Sequence, residues 1–295
     1  MLLATGDTSM SQVQTQPHTA EVMRGERFEF GKNWQRFLKV LNDERIALAG
    51  KALAKMLGTH DLSGKTFLDV GSGSGLSSLA AHRMGARVVS FDYDPQSVAC
   101  THELRRRYAT AQPWEVLEGS VLDQAFLASL GRFDIVYSWG VLHHTGQMWR
   151  ALGNVAPLVA DGGSLFVAIY NDQGPQSQRW RSIKRTYNAL PAGMKDVFGI
   201  GVMAVRDMRY LAGDLLRLRP GHYVRRWTNY AAAGQRGMSR LHDWIDWVGG
   251  YPFEVAKPEE VFGFYAERGF ELMNLRTCGG GLGCNEYVFR RRLSS

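Results

Sequence analysis

The chain has 295 residues, a net charge of +7 at pH 7 and three cysteines. Its length suits one large α/β domain or one domain with a big insertion, and its 45% apolar content is enough for a packed core. The odd number of cysteines, with no Cys-x-x-Cys pair, argues against a disulfide framework and against a structural zinc site. We therefore expect a cytoplasmic protein that holds no metal.

The N-terminal part of the chain divides into two segments. Residues 1–20 are rich in Ser, Thr, Gln and His and contain no apolar stretch of the signal-peptide kind, so we expect a disordered leader. Between Lys32 and Leu57 the apolar residues recur at helical spacing. This pattern predicts an N-terminal helical cap over residues 21–60.

A regular alternation of strands and helices follows. Apolar runs predict strands at residues 66–70, 87–92, 115–117, 133–138 and 164–170, with helices at residues 76–84, 95–108 and 148–159. After a long interruption, residues 257–295 continue the pattern with a helix at 258–268 and strands at 270–277 and 285–290, joined by a glycine-rich hairpin connection. The alternation predicts a parallel sheet with helices on both faces, built mainly from residues 61–170.

The interruption, residues 171–256, has a composition of its own. Residues 175–256 hold thirteen Lys and Arg but six Asp and Glu, so this stretch alone accounts for the net charge of the chain. A basic patch favours anionic partners, although a solvated helical surface is an equally good interpretation. We predict a helical, basic and aromatic-rich lid. Its stretch Val197–Leu218 is amphipathic and charged at its centre, which argues against a membrane span but leaves open a surface helix that collects a lipidic substrate.

One turn carries the first functional signal. Gly71-Ser72-Gly73-Ser74-Gly75 lies between a predicted strand and a predicted helix, where glycine lets a ligand approach the backbone closely. Asp92 ends the next strand about 20 residues later, at the position where a carboxylate can accept both hydroxyls of a ribose. This pair predicts a nucleotide-like ligand.

Four motifs in order extend that prediction to a family. Leu68–Gly75 resembles motif I of class I S-adenosylmethionine (SAM)-dependent methyltransferases, and Phe91–Pro95 resembles their second motif. Phe133–His144 is similar to the fourth-strand motif of the subgroup that includes ubiquinone and menaquinone methylases and many natural-product methyltransferases, and Asp161–Leu165 to the entry into strand five. The resemblance implies a Rossmann-like seven-stranded sheet, mostly parallel with the last strand antiparallel, and a helical lid after strand five.

The resemblance also implies which residues bind SAM. The glycine turn would pack against the methionine part, Asp69 would order the loop, Asp92 would hold the ribose, and Tyr93 would lie against the adenine. The full predicted cofactor site is Asp69, Gly71, Ser72, Gly73, Gly75, Asp92, Tyr93, Ser120, Val121, Ser138 and Trp139. Many relatives have Asp at the position of Ser120, and Asp123 is an alternative for that contact.

Catalytic and substrate residues follow from less specific signals. His143 or His144 is a candidate general base, because histidine titrates near neutral pH, and a structural role for both is the alternative. Aromatic and polar residues ahead of the core and in the insertion are the predicted substrate contacts: Trp34, Tyr170, Asn171, Arg181, Trp244 and Tyr251. Core packing is the competing interpretation of the aromatic ones.

The sequence therefore predicts a methyltransferase that modifies an O, N or C nucleophile of a small, anionic metabolite or natural-product intermediate. An RNA methyltransferase of the tRNA wobble-uridine type is one alternative, although no RNA-binding module is evident and we expect no nucleic-acid partner. A non-catalytic SAM-binding regulator is the other. Peripheral membrane contact remains open because of the amphipathic stretch in the insertion.

Overall fold

The computed structural model describes residues 17–219, 221, 225 and 247–293. Its centre is a seven-stranded sheet with the order β3-β2-β1-β4-β5-β7-β6. The strands are β1 (Thr66–Val70), β2 (Arg87–Asp92), β3 (Trp114–Glu118), β4 (Phe133–Trp139), β5 (Val159–Tyr170), β6 (Phe270–Arg276) and β7 (Cys284–Arg291). Strand β7 runs antiparallel to β5 and β6, and the four pairs among β1 to β5 are parallel. The predicted α/β fold is confirmed, including its antiparallel last strand.

Helices cover both faces of the sheet. They are α1 (Pro17–Met23), α2 (Phe30–Leu38), α3 (Asp43–Leu57), α4 (Leu76–Arg83), α5 (Pro95–Tyr108), α6 (Gln124–Leu130), α7 (Met148–Val155), α8 (Pro175–Ala189), α9 (Ala192–Leu216) and α10 (Pro258–Ala266). Side-chain caps define several starts: Asn42 accepts from the Arg45 amide before α3, and Asp94 accepts from the Gln96 amide before α5. Pro95 at the first position of α5 has its φ already set for a helix.

The strand order places the functional edge. The chain moves outward from β1 to β3 and then returns to the other side of β1 with β4. In open α/β sheets ligands bind outside the carboxyl ends of the strands at such a reversal. The loops after β1, β2 and β4 therefore meet at the place where the sequence motifs lie.

Two apolar layers form the main core. On one face of the sheet Phe67, Leu79 and Leu104 are fully buried. On the other face Val136, Leu152, Tyr265 and Phe289 are fully buried. A smaller cluster joins the N-terminal segment to the insertion: Phe28, Trp180, Tyr187, Met203, Val248 and Phe253. This third cluster fixes α8 and α9 beside the carboxyl edge of the sheet.

The predicted domain boundaries need one correction. The predicted leader ended at residue 20, whereas Pro17–Met23 form helix α1, so the predicted boundary is wrong by four residues. The reason is a tertiary contact, since His18 is buried beside Asp94 and Tyr93. The rest of the predicted leader lies outside the described residues.

Helix boundaries elsewhere differ more modestly. Helix α6 was not anticipated, although Asp123 caps it by accepting from two backbone amides. The helix expected at 148–159 ends at Val155, and a short 3-10 turn containing Pro157 leads directly into β5. The described part of the insertion is helical, as expected. None of the described helices combines the length and apolar character that a membrane span requires.

Candidate active site

A cavity of about 470 Å³ opens at the carboxyl ends of β1, β2 and β4. This volume lies within the range that proteins use for cofactors and small molecules. Twelve of the residues predicted from the sequence line it: Trp34, Asp69, Gly71, Ser72, Gly73, Asp92, Tyr93, Ser120, Val121, Trp139, His144 and Tyr170. The fold thus brings residues from seven separate segments to one site.

The glycine turn after β1 lines the cavity and packs too closely against its neighbours to carry side chains at Gly71 and Gly73. Gly71 and Gly73 have φ angles of 80° and 55°, in the left-handed region. A Cβ on Gly71 would lie 2.4 Å from a methyl of Val141, and a Cβ on Gly73 would lie 2.9 Å from the Trp34 indole nitrogen. Glycine is therefore required at both positions. Gly75 starts helix α4 and does not line the cavity.

Asp92 joins the end of β2 to the glycine turn. Its Oδ2 accepts from the Gly73 amide at 2.9 Å, and its Oδ1 accepts from the Asp94 amide at 2.9 Å. Each carboxylate oxygen keeps capacity for a further hydrogen bond, so two neighbouring hydroxyls could be held as well. Burial raises the pKa of Asp92 to about 6.

Asp69 lies behind the same turn. Its side chain is buried, and the Ser78 hydroxyl donates to Oδ2 at 2.5 Å. Burial raises the pKa of Asp69 to about 7, and the nearby Asp92 carboxylate adds to this effect. Two desolvated carboxyls make one end of the cavity acidic. A cationic ligand in this place would favour their charged forms.

The N-terminal segment closes over Tyr93. The Tyr93 hydroxyl donates to Glu21 at 3.2 Å, and the Arg27 guanidinium lies 5.0 Å from the ring centroid. Arg27 also pairs with Glu21 at 2.6 Å and donates to the His144 carbonyl at 2.9 Å. Through these contacts α1 and the loop after it become part of the cavity wall.

The loop after β3 supplies Ser120 and Val121 to the wall. The Ser120 hydroxyl accepts from the Leu122 amide at 3.2 Å, which fixes the turn. Asp123, the alternative for this contact, instead caps α6 and lies outside the lining.

Strand β4 contributes two neighbours with different roles. Ser138 is fully buried and donates to the Val70 carbonyl at 3.0 Å, so it ties β4 to β1 instead of lining the cavity. Trp139 lines the cavity, and its indole nitrogen donates to Glu286 at 3.0 Å. Glu286 is itself buried and paired with Arg276. This carboxylate holds the Trp139 ring in place.

Of the two candidate histidines, His143 and His144, it is His144 that lines the cavity. Its Nδ1 lies 2.6 Å from the Pro252 carbonyl. A carbonyl oxygen can only accept, so Nδ1 carries the proton and Nε2 is left with a free lone pair. Burial, together with the positive charges of Lys184 and Arg27, lowers the pKa of His144 to about 3. The ring is therefore a neutral acceptor at physiological pH.

His143 does not reach the cavity, although it was an equal candidate in the sequence. It is fully buried behind Tyr170, with the two ring centroids 3.9 Å apart. The Tyr170 amide donates to Nδ1 at 3.3 Å, and Nε2 has no partner among the described residues. Burial holds the pKa of His143 well below its ordinary value.

Aromatic side chains wall the part of the cavity around His144. The ring centroids of Phe30 and Tyr170 lie 4.9 Å and 5.4 Å from that of His144, and the Trp247 ring lies 5.4 Å from Tyr170. Behind this wall lies the buried ammonium group of Lys184, which donates to the Trp247 carbonyl and lies 4.8 Å from the Trp247 ring centroid. This end of the cavity is apolar at its surface and positively charged beneath.

Three predicted substrate contacts lie elsewhere. Asn171 accepts from Asn285 at 3.0 Å, and Arg181 donates through Nε to the Phe253 carbonyl at 3.2 Å. Tyr251 packs in the third apolar cluster. None of these side chains lines the cavity. Trp244 falls outside the described residues.

The structure adds two cavity residues near the N-terminus that the sequence did not single out, and it brings in two side chains from the glycine-rich segment 279–286, which the sequence did single out. His18 and Arg27 come from the N-terminal segment, and Leu282 and Cys284 come from the hairpin between β6 and β7. No sequence pattern around the polar residues near the N-terminus predicted a functional role for them. The glycine-rich hairpin was such a pattern, because a loop of this kind lets a ligand approach the backbone closely.

Comparisons with known proteins agree with this geometry. Residues 68–165 match a family model described as a methyltransferase domain. The ubiquinone biosynthesis O-methyltransferase of Xanthomonas oryzae pv. oryzae (strain PXO99A) is 30% identical over 139 residues, which cover 46% of this chain and 53% of that protein. The protein of the same name from Caulobacter vibrioides is 30% identical over 142 residues, 45% of this chain and 54% of its own. The chain thus spans about half the length of the curated relatives it matches.

Solved structures support the fold. An O-methyltransferase family protein from Burkholderia thailandensis is 13% identical with a TM-score of 0.51, covering 95% of this chain and 68% of that chain. The (4+2)-cyclase SpnF is 12% identical with a TM-score of 0.50, covering 83% of this chain and 81% of that chain. The domain match and the sheet, with its antiparallel last strand, agree with the predicted resemblance: residues 68–165 match a methyltransferase domain.

Proposed function

We propose that this protein transfers the methyl group of SAM to a nucleophile of a small molecule. The observation that carries the proposal is the continuity of the cavity. Its glycine-lined, acidic half adjoins an aromatic half that contains His144. A cofactor and an acceptor can therefore meet inside one enclosure.

Residues in the glycine-lined, acidic half of the cavity suit the binding of SAM. Gly71 and Gly73 leave the backbone open to the ligand, and Asp92 retains acceptor sites for the two ribose hydroxyls. Tyr93 would pack against the adenine, with Ser120 and Val121 at its edge. When bound, SAM supplies an electrophilic methyl group on a cationic sulfur. Asp69 and Asp92 favour a positively charged ligand, because its presence relieves the cost of their buried charges.

The aromatic half of the cavity suits a planar methyl acceptor. The aromatic wall excludes water and restricts how a flat molecule can lie, and alignment is the main demand of an in-line displacement. His144 presents a neutral Nε2 to which an acceptor hydroxyl or amine can donate. The relatives named for ubiquinone biosynthesis act as O-methyltransferases, so phenols are the first class to test.

The proposed negative charge of the acceptor is supported by a different set of residues from those the sequence suggested. Arg181 of the insertion lies outside the cavity, whereas Lys184 and Arg27 lie close enough to depress the pKa of His144. The same positive field stabilises a negative charge on the acceptor, whether it is present beforehand or develops at the nucleophile.

A cytoplasmic location remains a prediction.

The test has two stages. Calorimetry first measures the binding of SAM and of its demethylated product S-adenosylhomocysteine. SAM labelled in its methyl group is then offered with panels of phenols, carboxylic acids and amines, and label is sought in the acceptor. Label transferred to tRNA, with a steep loss at higher salt, would favour the RNA alternative. SAM binding with no transfer to any pool would favour the regulator.

A further inference from the structure

Helix α9 exposes apolar residues and buries acidic ones, which is the reverse of what is expected for a helix on the surface of a soluble protein. Its buried residues are Met203, Asp207 and Asp214, so two of the three are acidic. Its exposed residues include large apolar ones, from Leu215 at 51% to Leu216 at 86%. A surface helix normally turns its apolar stripe inward and its charges outward.

The exposed apolar residues form one continuous stripe. At the 100° step of an α-helix all of the large ones except Tyr210 fall within a sector of about 160°. No charged residue of α9 falls in this sector, and its exposed members are Gly193, Met194, Val197, Ile200, Gly201, Ala204, Val205, Met208, Ala212, Leu215 and Leu216. Phe198, at one edge of the sector, packs against the third apolar cluster. The helix has 25 residues, and at 1.5 Å per residue the stripe runs for about 35 Å. An apolar surface of this length marks an interaction site.

Basic side chains border the stripe. Arg209 lies next to it on the exposed surface, and Arg217 and Arg219 are exposed where the helix ends. Asp207 and Asp214, which could neutralise them, face inward and are buried. A second copy of the chain on the same stripe would bring these arginines towards their own counterparts. The charge pattern therefore favours a partner that is apolar and negatively charged.

We propose that α9 binds the surface of an anionic lipid bilayer. The helix lies parallel to the surface, with the apolar stripe among the acyl chains and the arginines at the acidic headgroups. Its charged centre, Arg206 to Arg209, matches this orientation because a helix in the surface plane keeps such residues in water.

The position of α9 places the proposed bilayer contact close to the aromatic half of the cavity. Met203 on its inner side packs with Trp180, Tyr187 and Phe253, and the Phe253 ring lies 5.3 Å from Tyr170 in the cavity wall. A bilayer on the outer side of α9 is thus one helix away from the aromatic half of the cavity. The proposal does not depend on methyl transfer, since vesicle binding is measured without any substrate.

The first experiment is co-sedimentation of the full-length protein with vesicles. We expect binding to vesicles that contain phosphatidylglycerol and much weaker binding to pure phosphatidylcholine. The double variant Val197→Asp/Met208→Asp places two charges in the stripe and should weaken binding by at least about tenfold. A matched control, Met273→Asp/Leu293→Asp, adds the same charges at exposed apolar positions outside α9 and should bind as the unmodified protein does.

The second experiment removes the positive charges. Replacing Arg209, Arg217 and Arg219 by glutamine should weaken binding to the anionic vesicles by about fivefold for each arginine. Equal binding by the unmodified protein and the stripe variant would overturn the proposal. So would a dimer in sedimentation velocity that the stripe variant dissociates while vesicles bind none of the proteins. Circular dichroism confirms that each variant is folded.

Discussion

Replacing Asp92 with alanine removes a carboxylate that organises the site in two ways. It accepts hydrogen bonds from the Gly73 and Asp94 amides, each at 2.9 Å, and in the proposed site its remaining acceptor sites would bind the cofactor. A hydrogen bond to a charged group contributes about 1.5–3 kcal/mol, so the loss of two such bonds to a ribose weakens binding by about 10²- to 10⁴-fold. Disorder of the glycine turn would add to this loss.

The pH dependence of binding gives an independent measure of the same group. Asp92 has a pKa of about 6, and only its ionised form accepts both hydroxyls. Affinity for SAM should therefore be highest at about pH 8 and fall as the pH drops through the pKa. At about pH 5, one unit below, roughly a tenth of the carboxylate is ionised, and the affinity should be about tenfold lower from this group alone. The α-amino group of SAM has a pKa of about 8 and loses its proton only at the upper end of this range, so the fall in affinity between about pH 7 and about pH 5 reports the carboxylates.

Isothermal titration with SAM, and with S-adenosylhomocysteine as a non-reacting ligand, measures both effects. Asp123→Asn is the matched control, because Asp123 also accepts two backbone amides but lies outside the cavity. Its affinity should equal that of the unmodified protein. Normal SAM binding by Asp92→Ala, or an affinity that stays constant from about pH 8 to about pH 5, would refute the assignment of Asp92.

Three further substitutions test other parts of the cavity. Asp69→Asn should stabilise the ligand-free protein at about pH 8 by up to about 4 kcal/mol in denaturant unfolding, because the raised pKa of about 7 makes the buried charge costly above that pH, and the gain should vanish near pH 4. The same change should weaken SAM binding by about tenfold, and an unchanged stability would contradict the pKa argument. His144→Gln should lower kcat by about tenfold, because it removes a hydrogen bond that orients the acceptor, and leave the Kd for SAM unaltered, whereas an equal loss of cofactor affinity would place His144 in the cofactor half. Arg181→Ala should change kcat/KM by less than about twofold, since Arg181 contacts the Phe253 carbonyl outside the cavity, and a large loss in acceptor affinity would restore it as a substrate contact.

Local signals were sufficient to predict the central fold. Strands β1 and β2 were expected within the bounds that the structure gives them, because buried parallel strands are apolar runs that end at glycine or at a capping residue. The hairpin between β6 and β7 was expected from its glycines, and these strands pair antiparallel. Helix α6 was missed because its seven residues bury only Leu127, which leaves no helical period to detect.

The residues that line the proposed cofactor half of the cavity could be predicted, because they follow the ends of consecutive strands. The contribution of the N-terminal segment to the cavity could not be predicted from the sequence. Nothing near His18 or Arg27 in the sequence shows that they meet Tyr93, about seventy residues away in the chain. Their placement depends on packing of the N-terminal segment against α8 and the segment around Phe253, through the cluster that contains Phe28. Long-range packing of this kind overrides local composition, which had indicated disorder for residues 17–20.

The histidine pair shows why adjacent residues of one type can differ completely in role. Leu142–His144 form a 3-10 turn, in which neighbouring side chains point about 120° apart. Only one of two adjacent histidines can then face the cavity, and the sequence does not reveal the phase of the turn. Here the Pro252 carbonyl accepts a hydrogen bond from Nδ1–H of His144, whereas His143 turns into the core against Tyr170. A substitution of His143 should therefore reduce stability rather than chemistry, and thermal unfolding compared with kcat separates it from His144.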